Sequence, residues 1–376
     1  MLGLFLVLPV FALEARKYPG GDDAALLGLA MGIYGLTQAA LQLPLGMASD
    51  RFGRKRVIVL GLLVFAAGSF LAASADTLQA LIVGRSLQGA GAISAAVSAL
   101  LADLTRDEVR TKAMALVGAS IGLMFAVSLV AAPVLNAWMG LHGLFALTGT
   151  LALFGVLVVW RAVPAEPARH AHEERMGLRD VLKHSGLRRL NVGVFVLHAV
   201  QLAMWMAVPA LLVQAGLSKE AHWQVYLPAV GLSFLLMGGV FALERRGHLK
   251  TVMRLAIALM LLVQLGLIWQ AQGAPALWPL GVLLFLFFAG FNVMEATQPS
   301  LVTRMASSQM RGAAMGLYNT LQSLGFFVGG GLGGLLVKSG GAQALFLSTG
   351  VALLVWLAVV WRLELPARPE ANAKPA

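Results

Sequence analysis

The 376-residue chain has no cysteine, and only 12% of its residues are charged. The first absence excludes a disulfide framework, thiolate chemistry and cysteine-ligated metal centres. The second leaves too little polar surface to coat a soluble globule: 59% of residues are hydrophobic and the mean hydropathy is +0.81. Acidic residues are also scarce, 17 against 28 Lys and Arg. The resulting net charge of +11 is spread in short clusters between apolar stretches, which points to anionic lipid rather than nucleic acid. No glycine-rich nucleotide loop, metal-spaced His/Glu cluster within the apolar stretches, or nucleophile beside a base is present. An enzyme is therefore not expected, nor a metal or other cofactor.

What the chain does have is long apolar runs. About 20 residues cross ~30 Å of hydrocarbon. Twelve candidate spans follow: 1–13, 26–47, 57–73, 78–101, 113–135 and 141–160, then 190–215, 223–243, 252–271, 276–302, 313–337 and 343–361. The runs are unbroken rather than alternating, so they are predicted to be helices and not barrel strands. The first is too short to cross. It lacks the basic flank and small-residue cleavage site of a signal peptide, so a chain start inside the first helix is expected.

Charge placement orients the spans. Of the 28 bases, 23 lie in the segments on one side, four on the other (Arg16, Lys17, Lys219 and Lys338), and Arg85 alone lies within a span. The positive-inside rule then puts both termini in the cytoplasm.

The longest segment between spans, 162–189, holds His170, His172 and His184 and separates six spans in 1–161 from six in 190–362, with a polar tail at 363–376. The halves share an echo. Arg110-Thr-Lys-Ala113-Met114-Ala115-Leu116 opens the fifth span and Arg311-Gly-Ala-Ala314-Met315-Gly316-Leu317 the eleventh, at an offset of 201. This predicts two parallel repeats with a substrate site between them. Glycines at 118 and 122, and at 325, 329 and 333, have the spacing of helix-packing faces.

Between the second and third spans stands Gly46-Met-Ala-Ser-Asp50-Arg51-Phe-Gly53-Arg54-Lys55-Arg56. Gly46 lets a neighbouring helix approach. Asp50 is expected near the first turn of the eleventh span, where the helix dipole favours a carboxylate. Arg54 is expected to pair with Asp103 at the end of the fourth span. This run resembles the cytoplasmic signature of the major facilitator superfamily. The resemblance implies an all-α membrane fold of twelve helices in two six-helix bundles, with this cluster latching the cytoplasmic side while the transporter faces outward. The plainer alternative is a basic turn that sets topology.

Arg85-Ser-Leu-Gln88-Gly89-Ala-Gly91 resembles the Arg-x-x-Gln-Gly-x-Gly of the family's fourth span, whose arginine is associated with substrate or proton movement. The alternative is a structural arginine on backbone carbonyls of the first span, because a guanidinium within a span needs a partner. Glu295 and His198 are the other ionisable groups well inside spans, and either could couple transport to a proton gradient or be a packing residue. Asn292, Glu295 and Gln298 recur every three residues and are predicted to face one way. Tyr34, Gln38 and Gln42 on the second span, and Tyr318 and Gln322 on the eleventh, share Gly-x-Tyr-x-x-x-Gln. They are expected to line the central cavity with Gln88 and Asn292, or else to glue helices together.

The segments Asp103-Leu-Thr-Arg106, Phe291-Asn-Val-Met-Glu295-Ala and Ala314-Met-Gly-Leu-Tyr318 narrow the resemblance to transporters of the bacterial inner membrane. Some of those carry a soluble domain after the last span, which is not expected here. The fifth span's antiporter signature is degenerate: Ala132-Pro133-Val-Leu-Asn136-Ala137 keeps only the proline. The resemblance implies a monomeric secondary transporter exporting small, largely apolar compounds in exchange for protons. A facilitator or proton symporter of the same fold is the alternative, and a transporter-derived receptor a more distant one.

Overall fold

The structure, a computed structural model, describes residues 5–91, 93–164, 178–307 and 309–364, with only some side chains within 107–119 and 238–245. His170, His172 and the tail from residue 365 on lie outside the described residues, as does the side chain of Arg110. The helices are α1 (Leu8–Glu14), α2 (Ala24–Phe52), α3 (Arg54–Ala73), α4 (Leu78–Ala90), α5 (Ser94–Leu104), α6 (Asp107–Arg161), α7 (Leu178–Lys183), α8 (Ser185–Gln214), α9 (Trp223–Arg245), α10 (Leu249–Gln272), α11 (Leu277–Met305) and α12 (Arg311–Trp361). No strand occurs among the described residues. Among the described residues, eight helical stretches are long and apolar enough to cross a membrane. Two of these, on α6 and α12, hold two predicted spans each: 55 and 51 residues would reach about 80 Å if straight, well beyond one bilayer.

Each of those long helices reverses at a glycine. Gly140 (φ 64°) breaks α6 and Gly341 (φ 67°) breaks α12, both in a conformation that L side chains avoid. Loops were expected between these spans; a reversal at one or two glycines replaces each. The separation of Gly140 and Gly341 is again 201. Beyond them Leu144, Phe145, Thr148 and Gly149 match Leu345, Phe346, Thr349 and Gly350, and Val158-Val-Trp-Arg161 matches Val359-Val-Trp-Arg362. Burial follows the match, with Leu144, Phe145, Leu345 and Phe346 all fully enclosed. The repeat is therefore stronger at the sixth and twelfth spans than in the echo read from sequence.

Local chemistry sets the helix ends. Asp23 caps α2 by accepting from the amides of Ala25 and Leu26, Thr77 caps α4 through the Ala80 amide, and His184 caps α8 through Leu187. The predicted fourth span is not continuous: α4 ends at Ala90 and α5 begins at Ser94. Gly89 lies against the Tyr34 carbonyl and Gly91 against that of Gly61, so the glycines that admit α4 between α2 and α3 also weaken it as a helix.

The contact between α2 and α12 positions everything else. Gly28 and Gly32 meet Gly330 and Gly334 backbone to backbone, and Gly35 meets Ser323 and Phe327, all closer than any Cβ would allow. Toward the basic end the same helices touch through a side chain, Leu43 against Gly316. Gly325 and Gly329 press on the backbone of Phe195 and Ala199 of α8, as the small-residue spacing predicted. Gly122 is different: a Cβ there would only graze Phe234, so it is not a close-packing position.

Candidate functional site

At the basic end, Gly53 (φ 107°) makes the turn from α2 to α3 and sets Arg54 as the first residue of α3. Arg54 is 6% exposed and uses three donors: Nη2 to Asp50 at 2.5 Å, Nε to Asp103 Oδ2 at 3.2 Å and Nη1 to Ser49 Oγ at 2.7 Å. A buried guanidinium with two carboxylates is a rigid tie between α2, α3 and α5. Arg51 instead lies over its neighbour Phe52 and is exposed. Gly46 faces Ala95 of α5, where a Cβ would sit 3.3 Å from the alanine methyl. Arg311, at the start of α12, turns back to the Thr303 carbonyl at 3.2 Å.

Arg85 is 1% exposed. Nη1 donates to Gln88 Oε1 at 3.0 Å and Nη2 to the Met31 carbonyl of α2 at 3.3 Å, while the guanidinium lies over Tyr34 (5.1 Å) and Phe11 (5.8 Å). Gln88 passes the chain on to Ser69 of α3 at 2.8 Å. The carbonyl that Arg85 bonds belongs to the second span, not the first as sequence reasoning had it. A small cavity of about 10 Å³, room for roughly one water, lies beside it among Leu8, Met31, Tyr34, Gly35, Leu202 and Phe326.

His198 and Glu295, separate candidates in the sequence, are partners in space. Nδ1 of His198 lies 2.8 Å from the Val194 carbonyl, an acceptor, so Nδ1 carries hydrogen. Nε2 then faces two groups, the Gln322 amide nitrogen at 2.7 Å and Glu295 Oε2 at 3.2 Å. A neutral imidazole suits the amide donor; an imidazolium suits the carboxylate. Phe326 and Phe291 pack edge-on around the ring at 5.0 and 6.0 Å. The Glu295 side chain is 31% exposed, and its Oε2 lies at ion-pair distance from His198 without a hydrogen bond to it.

The three-residue stripe does not share one face. Asn292 donates to Ser233 of α9 at 2.8 Å, Glu295 meets α8, and Gln298 lies by Gly193 and Trp356. Steps of three residues lag a 3.6-residue turn by 60° each, so the set fans across neighbours. Of the residues expected to line the central cavity, Gln88 and Asn292 are spent on these bonds. Gln38 accepts from Ser323 across the α2–α12 contact at 3.1 Å. Both polar atoms of Gln42 and Gln298 and the Tyr318 hydroxyl are buried with no partner among the described residues. Only Tyr34 borders the small cavity, so in this state the helices close over the stripe.

The opposite end holds a constellation that sequence reasoning missed. Glu14, 7% exposed, takes Lys219 and Lys17 at 2.5 Å each, and Asp23 takes Lys338 at 2.8 Å. Both Lys219 and Lys338 reach across to the first two spans. The signal was available: Lys17, Lys219 and Lys338 are three of the four bases on the wrong side for the positive-inside rule, and each has an acid here. Burial alone would raise the Glu14 carboxyl, but hydrogen bonds from Lys17 and Lys219 and their charge outweigh it and hold the group below 4.5. Its hydrogen bond with Glu14 raises Lys219 above the lysine value of 10.5. A lowered carboxylate stabilises the fold above its ordinary pKa and stops doing so as pH falls through the lowered value; a raised lysine stabilises it below its ordinary pKa. The clasp is therefore intact at neutral pH and is a mechanical tie rather than a pH sensor.

His222 at the start of α9 is a separate acid-sensitive point. Burial holds its pKa down to about 4. The unfolded chain takes up a proton near 6.5 and the folded chain does not, so stability rises with pH between about 4 and 6.5. Melting temperature in detergent should fall on acidification through that window, and His222→Gln should flatten the fall. An unchanged acid limb in the variant would assign the loss to other groups.

The family profile described as Major Facilitator Superfamily matches residues 1–330 and 299–376. The chain is 40% identical to the inner membrane transport protein YajR of Escherichia coli (strain K12), over 99% of this chain and 85% of that protein. It is 28% identical to the multidrug resistance protein MdtH of Aeromonas salmonicida, over 95% of this chain and 88% of the relative. The crystal structure of the human organic anion transporter MFSD10 superposes with a TM-score of 0.68 at 21% identity, covering 96% of this chain and 97% of that one. YajR is named as a transport protein and MFSD10 as a transporter, not as enzymes. With its all-helical, multi-pass architecture, the chain belongs to the major facilitator superfamily.

Proposed function

We propose that this transporter is a proton-coupled exporter of small molecules in a bacterial inner membrane, working as a monomer with both termini in the cytoplasm. On this reading, residues 1–161 and 190–362 are two six-helix bundles that rock about the α2–α12 contact, with 162–189 as the linker and 363–376 as the tail. The observation that carries it is the His198–Glu295–Gln322 arrangement. Gaining a proton at Nε2 exchanges the Gln322 donor for the Glu295 carboxylate, so the proton count chooses between two bonding patterns joining α8, α11 and α12. A group that bonds differently with and without a proton can bias a two-state fold. The multidrug resistance names of the MdtH relatives, and the 32% identity to a class B tetracycline resistance protein of Escherichia coli over 42% of this chain and 40% of that one, lean toward efflux.

The test is proteoliposomes holding a trapped pH dye, challenged with a panel of lipophilic cations, anions and neutral compounds. Export coupling gives substrate-dependent proton movement opposite to the substrate. Substrate movement with no proton movement would leave the facilitator reading in its place.

The Arg54 tie belongs to this proposal as a cytoplasmic latch. Asp50→Asn keeps the shape but not the charge, and transport should fall roughly tenfold or more, the equivalent of about 1.4 kcal/mol. Membrane insertion should change little, since the Asp50 side chain is partly exposed and Arg54 keeps its bonds to Asp103 and Ser49. Wild-type transport in this variant would remove the latch.

A further inference from the structure

On an exposed face of α12, at its C-terminal end, lies an open groove of about 400 Å³ lined by Leu354, Leu357, Ala358, Trp361 and Arg362. Its length is apolar, and it ends among arginines from three helical segments. Arg254 of α10 lays its guanidinium 4.0 Å from the centre of the Trp361 ring and donates from Nη2 to the Trp361 carbonyl at 3.0 Å. Arg189 of α8 donates to the Arg362 carbonyl. These bonds cover carbonyls at the end of α12 that would otherwise lack donors, and they fix both guanidinium groups in place. Arg254 Nε still has no acceptor among the described residues. Arg362 is exposed, as is Arg188, which precedes Arg189 in α8, and Glu364 is the acidic residue in the same stretch of chain as Arg362.

We propose that this corner binds one acidic phospholipid, its phosphate on Arg254, Arg362 and Arg189 and an acyl chain along Leu354, Leu357 and Ala358. Two features commit the site to that occupant. A dissolved anion would satisfy the arginines but leave the groove empty, and a zwitterionic lipid would fill the groove but bring no net charge. The place is also right, because a tryptophan and several arginines at the end of a span sit at headgroup depth. The equivalent corner of the first half is built differently: Arg161 lies over Trp160 at 5.0 Å, and a lysine, Lys55, caps the Val163 carbonyl at 2.8 Å.

The experiment uses the full chain purified in a neutral detergent. Native mass spectrometry and melting curves are recorded with phosphatidylglycerol, with phosphatidylcholine of the same acyl chains, and with inorganic phosphate. Phosphatidylglycerol should be retained one per protein and raise the melting temperature, and the other two should not. Arg362→Gln should weaken retention roughly fivefold, the effect of one surface charge on an anionic lipid. Ala358→Trp, which fills the groove without altering charge, should displace the lipid. Both positions are exposed, so the variants fold. Equal retention of phosphatidylcholine, or phosphatidylglycerol retention unchanged in both variants, overturns the site. A melting shift reproduced by phosphate alone overturns its assignment to lipid.

Discussion

Gly334→Ala should hold the transporter open at the end that the Glu14 and Asp23 ion pairs now close. A methyl group at position 334 would overlap the Ala24 carbonyl and the backbone of Gly28, neither of which is the flexible end of a side chain. Overpacking of this kind costs about 1–3 kcal/mol in a close-packed interior. Here the cost falls only on the closed state, so the closed-to-open ratio should drop by about fivefold to more than a hundredfold. The measurement is a distance distribution between spin labels at Asp22 and Ser339, both exposed at that end. A chain without cysteine lets both labels be placed with no background. The variant should show a longer distance and slower turnover than wild type. A distribution identical to wild type would mean that the glycine contact is not a gate.

Glu295→Gln should separate coupling from transport. Glutamine keeps the size and hydrogen-bonding reach of the side chain beside His198 but cannot ionise. Substrate exchange at equal pH should survive, while gradient-driven movement should fall by at least an order of magnitude, about 1.4 kcal/mol of lost bias. His198→Gln should give the same split, because each residue supplies one half of the same exchange of partners. Retention of gradient-driven transport in both variants would place the proton elsewhere, with Arg85 the next group to test.

Composition made the membrane fold legible, because apolar runs of span length leave few alternatives once barrels are excluded. The Arg54–Asp103 pair was legible as well, since the loop fixes one partner and the short fourth-to-fifth connection the other. The His198–Glu295 pair was not, as 97 positions of sequence give no hint of two helices meeting. Nor was the fan of Asn292, Glu295 and Gln298, because an apolar helix with neighbours on every side has no solvent face to anchor a stripe. The glycines of α2 and α12 could be counted but not paired: their spacing says that something comes close, and only the packed helices show what. Lys219 and Lys338 carried a signal that charge counting recorded as exceptions and did not pursue.

The reversal at Gly140 and Gly341 bears on how the chain enters the bilayer during synthesis. Two crossings joined this tightly leave no long polar loop that could wait in water while its neighbour settles: His142 follows the first reversal, and Lys338 and Ser339 precede the second. Trp138 and Met139, just ahead of the first reversal, are themselves apolar and exposed. The fifth and sixth crossings therefore have to leave the insertion machinery as one hairpin, and the eleventh and twelfth as another. A substitution that strains either glycine acts before any substrate is met, on the number of molecules that reach the membrane correctly folded.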